Sequence, residues 1–182
     1  MRKNPAPPKK VALASHPSLP EAIGEVKEFS RILQENGVEA SSYESIYDHD
    51  LADCLEKGTF DLAIAVGGDG TMLRASHVFA PHGIPILGIN MGRFGFLTEF
   101  SRSKWRESLP QLLRGEYQLE ERMMLHAGHW RGEQCLQTWN VLNEVVVCRG
   151  QIVRPIHLEA AVDGYHLAAY IADGMIVAAP TG

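Results

Sequence analysis

Short runs of apolar residues alternate along the first half of the chain with stretches in which apolar residues recur every three or four positions. Uniformly apolar runs are typical of strands buried on both faces, and the three- and four-residue spacing is typical of helices with one buried face. The predicted strands are residues 11–15, 38–43, 61–66 and 84–89, and the predicted helices lie between residues 18 and 37, at 46–57 and at 72–79. This alternation predicts an α/β domain with a parallel sheet covered by helices on both faces.

The first predicted helix carries both a start and a stop signal. Ser18 and Glu21 have the spacing of a capping box, and Pro20 lies in the first turn, where its missing N–H costs nothing. Asn36 and Gly37 form a C-terminal stop. We therefore expect the helix to begin with a side-chain cap and to end just before the glycine.

The pattern changes after about residue 100. Residues 103–113 have helical spacing, and beyond them strands follow one another without intervening helices, at residues 123–130, 134–147, 156–162, 165–171 and 175–179. Asp163 and Gly164 are a strong two-residue hairpin signal between two of these strands. The sequence therefore predicts a disordered start over residues 1–10, an α/β domain over 11–101 and a β-rich domain over 102–182.

The last residues of the chain predict a further element. Residues 175–179 read as a buried strand that runs into the turn Pro180-Thr181-Gly182, which should lead onward. Two or three hairpins bury little apolar surface by themselves. We therefore expect the β-rich domain to be incomplete in this sequence and the source gene to encode a longer protein.

Composition excludes several classes of protein. With 45% apolar and 21% charged residues the chain is typical of a globular protein, and its net charge of −5 gives no reason to expect nucleic acid or an anionic membrane as a partner. The basic, proline-rich start lacks the apolar core of a signal peptide, and no apolar run is long enough to span a membrane, so we expect a cytoplasmic protein. Cys54, Cys135 and Cys148 are widely spaced and odd in number, which favours reduced thiols.

A glycine-rich turn is the strongest sign of chemistry. The third predicted strand runs directly into Gly67-Gly68-Asp69-Gly70-Thr71. Glycines let the backbone approach a ligand closely and adopt positive φ, and the N–H groups at the start of the next helix attract anions. A carboxylate here repels phosphate unless a metal ion, a proton or a substrate hydroxyl lies between them, so Asp69 indicates catalysis as well as binding. The alternative is a tight turn with Asp69 as a helix cap.

This turn is neither of the common phosphate-binding motifs. The chain contains no Gly-Lys-Ser or Gly-Lys-Thr, which excludes a P-loop, and the third glycine of the dinucleotide fingerprint is missing. Arg74 lies one turn further along, where it is either a solvated surface charge or a phosphate contact.

Two more clusters are candidates for the same site. Residues 92–96 pair glycines with Phe94 and Phe96, which form either an aromatic wall beside a nucleotide or core side chains in an ordinary turn. Asn143 and Glu144 interrupt an apolar strand, so that one of them must face its buried side. A ribose diol suits this amide and carboxylate, and a bulge that exposes both is the alternative.

A fourth cluster joins Asp173-Gly174 to Pro180-Thr181-Gly182 near the end of the sequence, although Asp173-Gly174 can also be an ordinary turn. We do not predict a metal site at the acidic cluster of residues 48–50. Asp48, His49 and Asp50 are consecutive, and consecutive residues rarely converge on one ion, so a solvated loop is the better interpretation.

Taken in chain order, these four clusters resemble the motif series of the NAD kinases. The likeness spans residues 11–182. The glycine-aspartate turn is shared with diacylglycerol-type lipid kinases and distantly with phosphofructokinases, whereas the Asn-Glu pair and the segment from Asp-Gly to Pro-Thr-Gly are specific. The resemblance implies an α/β domain followed by a β-sandwich-like, NAD-binding domain.

The activity implied by this resemblance is transfer of the γ-phosphoryl of ATP, or of polyphosphate, to the 2′-hydroxyl of the adenosine ribose of NAD, giving NADP. Mg²⁺ and positioning would supply most of the rate. By position, Asp69 is the general base or a metal-linked carboxylate, while Asn143 and Glu144 hold the base and ribose of NAD. The other nucleotide contacts carried over are Gly68, Gly70, Thr71, Arg74, Phe96, Arg154, Asp173 and Thr181.

The resemblance also implies partners and leaves rivals open. NAD and ATP are the expected ligands, and the family forms homodimers or homotetramers through its second domain. Members of the family continue past Pro-Thr-Gly with a Ser/Thr-rich, Tyr-containing stretch that binds nucleotide, which this sequence does not include. The rival functions are a lipid kinase built on the same turn and a nucleotide-binding fragment without catalysis.

Overall fold

A computed structural model describes residues 5–43, 51, 54–55, 60–92, 95–150 and 154–182. Most of the helix predicted at residues 46–57 therefore lies outside the described residues. The chain divides into two compact units, Met1–Glu121 (unit 1) and Arg122–Gly182 (unit 2).

Unit 1 is built on a sheet of five parallel strands. These are β1 (Lys10–Ser15), β2 (Glu39–Tyr43), β3 (Leu62–Gly67), β4 (Ile86–Asn90) and β5 (Phe100–Ser101). Their order in the sheet is β2-β1-β3-β4-β5, and every neighbouring pair is parallel. The predicted α/β fold with a parallel sheet is confirmed. The strand order changes direction between β1 and β3, which is where ligands bind in open sheets of this kind.

The helices α1 (Pro20–Glu35), α2 (Asp69–Phe79) and α3 (Trp105–Leu113) pack on this sheet. Alternate residues of β3, such as Ile64 and Val66, join a buried apolar cluster with α1 and α3, in which the rings of Phe29 and Trp105 stack with centroids 4.2 Å apart. On the opposite face Gly88 of β4 lies against α2, because a Cβ at that position would come within 2.7 Å of the sulfur of Met72. Helices therefore cover both faces, as the sequence predicts.

Both α1 and α2 begin at residues that the sequence interpretation did not place there. The helix α1 has Leu19 as its N-cap and no side-chain cap bond, so the predicted capping box is wrong. Pro20 occupies the first helical position, which makes Ser18 one residue too early to cap; its backbone N–H donates instead to Nδ1 of His16 at 3.2 Å. The helix α2 begins at Asp69 and not at Met72.

The described part of the predicted disordered start contacts the rest of unit 1. The hydroxyl of Tyr117 donates to the carbonyl of Ala6 at 3.4 Å, and the backbone N–H groups of Lys9 and Lys10 both donate to Oδ2 of Asp61 at 2.9 Å. Gly115, at φ +71°, ends the turn after α3 beside this segment. Residues 5–10 thus lead into β1 along the surface of unit 1.

A buried carboxylate joins α1 to α3. Glu25, 7% exposed, accepts hydrogen bonds from Nε of Arg102 at 2.8 Å, Nε1 of Trp105 at 2.9 Å and a terminal nitrogen of Arg106 at 2.9 Å. Burial raises the pKa of Glu25, but the hydrogen bonds from Arg102, Trp105 and Arg106 lower it by more, so its pKa lies below the usual value. The two arginines also pair with Glu21 and Glu28. We call these six side chains the Glu25 network.

In the described part of unit 2, antiparallel strands pair in three two-stranded sheets. Its strands are β6 (Leu125–Arg131), β7 (Gln134–Val141), β8 (Glu144–Cys148), β9 (Ile156–Val162), β10 (Tyr165–Ala172) and β11 (Gly174–Ala178), paired as β6-β7, β8-β11 and β9-β10. Asp163 and Gly164 adopt φ values of 51° and 81°, as a two-residue hairpin turn requires, which confirms that prediction.

The single strand predicted at residues 134–147 is wrong. The chain bends at Leu142 and Asn143, and the two halves pair with different partners, β7 with β6 and β8 with β11. Leu142 is buried and anchors the bend. The helix α3, which the sequence placed in the second domain, packs with unit 1 through Trp105 and Leu109. The predicted domain limits remain a prediction.

Candidate functional site

The glycine-rich turn lies at the carboxyl edge of the parallel sheet. The strand β3 ends at Gly67, which is in register with Asn90 at the end of β4. The N–H of Met91 donates to the carbonyl of Gly67 at 3.0 Å, and the N–H of His16, just after β1, donates to the carbonyl of Val66 at 3.2 Å. The residues that follow β1 and β4 are thus both bonded to the end of β3, at the edge where parallel sheets bind ligands.

Asp69 is the first residue of α2, and its carboxylate reaches across to the segment after β4. Oδ2 accepts the backbone N–H of Phe96 and Oδ1 accepts that of Leu97, each at 3.0 Å. The helix has no side-chain cap, so the alternative of Asp69 as a cap is wrong. The side chain is half-buried, and each carboxylate oxygen has a second lone pair that these two bonds do not use.

The glycines of the turn differ in whether a side chain would fit at their positions. At Gly67 a Cβ would lie 2.7 Å from Cβ of Thr71, so packing requires glycine. At Gly68 and Gly70 a Cβ would meet no described atom within 4 Å. The expectation of positive φ is wrong as well, because Gly68 has φ −113° and none of the turn glycines is among those with positive φ. Neither a positive φ nor packing against the described residues therefore accounts for glycine at positions 68 and 70.

Thr71 and Arg74 follow on α2. Thr71 is 2% exposed, and its hydroxyl oxygen is buried without a hydrogen-bond partner among the described residues. Buried hydroxyls normally bond to protein or ordered water, so Thr71 differs from most of them. Arg74 is exposed and forms no ion pair within the described part of the chain, which fits both a solvated surface charge and a phosphate contact.

The segment after β4 is held by Asn90, which the sequence interpretation did not assign. Asn90 is 3% exposed; its Oδ1 accepts the N–H of Gly92 at 2.8 Å and its Nδ2 donates to the hydroxyl of Thr98 at 3.3 Å. The sequence did contain a signal for this role, because Asn90 is a polar residue at the end of an apolar strand and lies two residues before Gly92. Of the predicted aromatic pair, Phe94 lies outside the described residues, and Phe96 is 94% exposed, so it is not a core side chain.

In unit 2 the structure brings the Asn-Glu pair to the Pro-Thr-Gly segment. The N–H of Ala179 donates to the carbonyl of Asn143 at 2.7 Å. A Cβ at Gly182 would lie 2.5 Å from that same carbonyl oxygen and 3.0 Å from Oε2 of Glu144. Oδ1 of Asn143 is buried and has no described hydrogen-bond partner. Asn143 lies in the bend and Glu144 begins β8, so neither of the two strand geometries considered from the sequence applies.

Two predicted residues of unit 2 lie apart from this cluster. Asp173 immediately precedes the five-residue strand β11, and Thr181 follows its other end, so at about 3.3 Å per residue roughly 15 Å of strand lies between them. Arg154 is exposed and precedes β9, which pairs with β10 in a different sheet. The structure therefore groups Asn143, Glu144 and Thr181 but not Asp173 or Arg154.

The described residues include no group of three or more His, Cys, Asp or Glu side chains that could hold a metal ion by itself. Mg²⁺ commonly binds through one or two carboxylates together with nucleotide phosphates and water, and Asp69 beside an open glycine turn fits that pattern. None of the described helices is long and apolar enough to cross a membrane. Among the described residues, no disulfide joins Cys54, Cys135 or Cys148.

Comparison with known proteins gives consistent matches. Residues 11–117 match the family described as ATP-NAD kinase N-terminal domain. The chain is 46% identical over 136 residues to an NAD kinase of Moorella thermoacetica, which covers 71% of this chain and 43% of the relative. It is 39% identical over 153 residues to an NAD kinase of Bordetella pertussis, covering 84% of this chain and 50% of the relative.

A solved structure shows the same fold. The crystal structure of yeast NADH kinase complexed with NADH superposes with a TM-score of 0.74 at 19% identity, covering 97% of this chain and 59% of the yeast chain. The chain spans about half the length of the curated relatives it matches.

Proposed function

The chain belongs to the NAD kinase family, and from this premise we propose that the protein it represents transfers the γ-phosphoryl of ATP, or of polyphosphate, to the 2′-hydroxyl of the adenosine ribose of NAD. A bond forms between the 2′-oxygen and the γ-phosphorus, the bond from that phosphorus to its bridging oxygen breaks, and the hydroxyl proton is released. With ATP as donor the products are NADP and ADP, and with polyphosphate they are NADP and a polyphosphate shorter by one phosphate. The observation that carries this proposal is the Asp69 carboxylate, oriented by two backbone amides beside an open glycine turn.

In this reaction Asp69 accepts a hydrogen bond from the 2′-hydroxyl and takes up its proton. The hydrogen bonds from the two backbone N–H groups leave a free lone pair on each carboxylate oxygen. Asp69 can therefore accept a hydroxyl while it keeps its hydrogen bonds to Phe96 and Leu97. Positioning of a hydroxyl against the carboxylate is expected to contribute more than proton transfer, as in other phosphoryl transfers.

The turn and the start of α2 bind the phosphates of the donor. The open space at Gly68 and Gly70 allows phosphate oxygens to approach the backbone, and the first turn of α2 has no side-chain cap to compete for its N–H groups. Thr71 supplies a hydroxyl and Arg74 a positive charge. Mg²⁺, when bound with the nucleotide, neutralises phosphate charge, and Asp69 is the residue of this turn that would hold it.

In unit 2, Asn143 and Glu144 bind the ribose and base of NAD, with Thr181 beside them. The buried Oδ1 of Asn143 supports this proposal, because a ligand N–H or hydroxyl would supply the missing donor. Arg154 and Asp173, which lie elsewhere in the unit, are proposed as separate contacts to a phosphate and to the second nucleotide portion. Phe96, exposed in unit 1, is proposed to stack on a base.

We further propose that the protein works in the cytoplasm as a homodimer or homotetramer, with neither nucleic acid nor membrane as a partner. The net charge of −5 supports the latter point. Size-exclusion chromatography with light scattering measures the assembly, and a monomer at micromolar concentration would contradict it.

A coupled assay tests the activity. The 182-residue chain and the full product of its gene are incubated with ATP, Mg²⁺ and NAD, and NADP is detected through an NADP-specific dehydrogenase. NADP formation by the full product is expected. Phosphorylation of diacylglycerol without NADP formation would favour the lipid kinase, and calorimetric binding of NAD without turnover in either protein would favour a non-catalytic binding module.

A further inference from the structure

We propose that residues 95–97 form a backbone latch that holds the Asp69 carboxylate in its working orientation, which makes Gly95 a positioning residue. The latch itself depends on geometry alone. Its effect on catalysis rests on the proposed function of Asp69.

The contact between the latch and Asp69 requires glycine at position 95. The amides of Phe96 and Leu97 donate to different oxygens of the carboxylate at 3.0 Å, which brings the preceding α-carbon against the carboxyl group. A Cβ at Gly95 would lie 2.6 Å from Cγ and 2.7 Å from Oδ2 of Asp69, distances that real Cβ atoms essentially never show. Gly95 is not among the residues with positive φ, so an alanine there would meet the carboxylate without straining its own backbone.

The latch is anchored to the sheet on both sides. Before it, Asn90 accepts the N–H of Gly92. After it, Leu97 is buried, and Glu99 pairs twice with Gly88 of β4: its N–H donates to the Gly88 carbonyl at 3.1 Å, and its Oε2 accepts the Gly88 N–H at 2.7 Å. The amides that hold Asp69 therefore belong to a segment that is hydrogen-bonded to β4 of unit 1.

This arrangement restricts an otherwise rotatable side chain. A carboxylate on the first turn of a helix can rotate about χ1 and χ2, and only some of its orientations present a lone pair to a bound hydroxyl. Two amides on two different oxygens select one orientation before substrate arrives, which removes the cost of ordering it during the reaction. Gly95 acts through Asp69 and not on the substrate.

The test is a double-mutant cycle between Gly95→Ala and Asp69→Ala, measured first by thermal unfolding. In the wild-type background Gly95→Ala is expected to lower the Tm by roughly 4 °C or more, whereas in the Asp69→Ala background the same change has no carboxylate to meet and should shift the Tm by about 1 °C or less. Equal losses in the two backgrounds would overturn the latch. If Gly95→Ala alone does not fold, folding of the double variant supports the latch and failure of both overturns it.

Kinetics then test the positioning role. Gly95→Ala should lower kcat about 10- to 100-fold with the KM for NAD within about threefold, and it should cause no further loss in the Asp69→Ala background. Gly24→Ala, at an exposed site of α1 where a Cβ meets no described atom within 4 Å, is the control and should leave kcat unchanged. A normal kcat for Gly95→Ala would overturn positioning. If the Tm loss caused by Gly95→Ala depends on Asp69 but the protein makes no NADP, the latch is supported and the proposed function is contradicted.

Discussion

At the scale of single residues, Asp69 combines a structural and a chemical role. Its carboxylate accepts two backbone N–H groups and still has lone pairs for a ligand. Asp69→Asn keeps the size of the side chain but replaces one acceptor oxygen with a donor group that faces an N–H. We therefore expect kcat to fall by about two orders of magnitude or more, with the affinity for NAD within a fewfold of wild type.

Thermal unfolding and steady-state kinetics on Asp69→Asn check both roles. Loss of one hydrogen bond from a backbone N–H should also lower the free energy of unfolding by about 1 kcal/mol. Near-normal turnover would remove Asp69 from the mechanism, while an unchanged Tm would contradict the structural role.

Gly70 gives a prediction in which stability and binding change in opposite directions. It lies in the first turn of α2, where a Cβ meets open space, so Gly70→Ala should raise the free energy of unfolding by about 0.5–1 kcal/mol. The same methyl group would occupy the space proposed for the donor phosphates, so ATP affinity should fall about tenfold. Calorimetric titration with ATP and thermal unfolding check this pair of effects.

Gly24→Ala is the matched control for Gly70. It is an exposed glycine inside α1 with the same open surroundings, so it should stabilise the protein similarly and leave ATP affinity unchanged. Equal ATP affinity in Gly70→Ala and Gly24→Ala would contradict the placement of the phosphates at the turn.

At the scale of secondary-structure elements, the Glu25 network decides how α1 and α3 respond to acid. Because the pKa of Glu25 in the folded protein lies below the 4.5 of an unperturbed glutamate, its ionised form is favoured by folding. The stability that it contributes is present in full above about pH 4.5 and is lost as the pH falls through the folded-state pKa. The pKa of Glu28 is also lowered, first by its hydrogen bond from Arg106.

Replacing Glu25 separates this network from the rest of the protein. Glu25→Gln should lower the free energy of unfolding at pH 7 by about 2 kcal/mol and reduce its dependence on pH between about 5 and 3. Glu35→Gln, in an exposed pair with Arg31, is the control and should cost about 0.5 kcal/mol or less. Denaturant unfolding across this pH range measures both, and an unchanged pH slope in Glu25→Gln would contradict the assignment.

At the scale of the whole molecule, the two units differ in how much apolar surface they bury. Every residue of the large buried cluster lies in unit 1, whereas in the described part of unit 2 the buried apolar residues are Leu142 and Ala179. Strand residues of unit 2 such as Trp130, Tyr165 and Ile171 are exposed. Residues 1–121 expressed alone should therefore unfold cooperatively with a Tm within about 5 °C of the longer chain. A larger loss would show that unit 1 depends on unit 2.

The complementary piece, residues 122–182, is expected to show no cooperative unfolding transition by circular dichroism. Its separate two-stranded sheets bury too little surface for independent stability. A sharp transition in this piece would contradict that expectation.

Features that depend on neighbours close along the chain could be predicted from the sequence. Apolar periodicity located β1 to β4 and the helices α1 to α3, although it missed the two-residue strand β5. Gly37 ended α1, and two residues were enough to predict the Asp163-Gly164 turn, because each of these features is set by local conformation. Helix starts were less predictable: a single proline at position 20 shifted the N-cap by one residue.

The tertiary structure alone decided which distant groups meet. The amides of Phe96 and Leu97 reach Asp69 across 27 and 28 positions, and Glu25 meets Arg102 across 77. The bend at Asn143 exists because β7 and β8 pair with different strands. Such contacts depend on how complete elements pack, and the local sequence around a side chain does not indicate that packing. The glycine turn was therefore visible in the sequence, whereas the reason that position 95 must also be glycine appears only when the sheet is assembled.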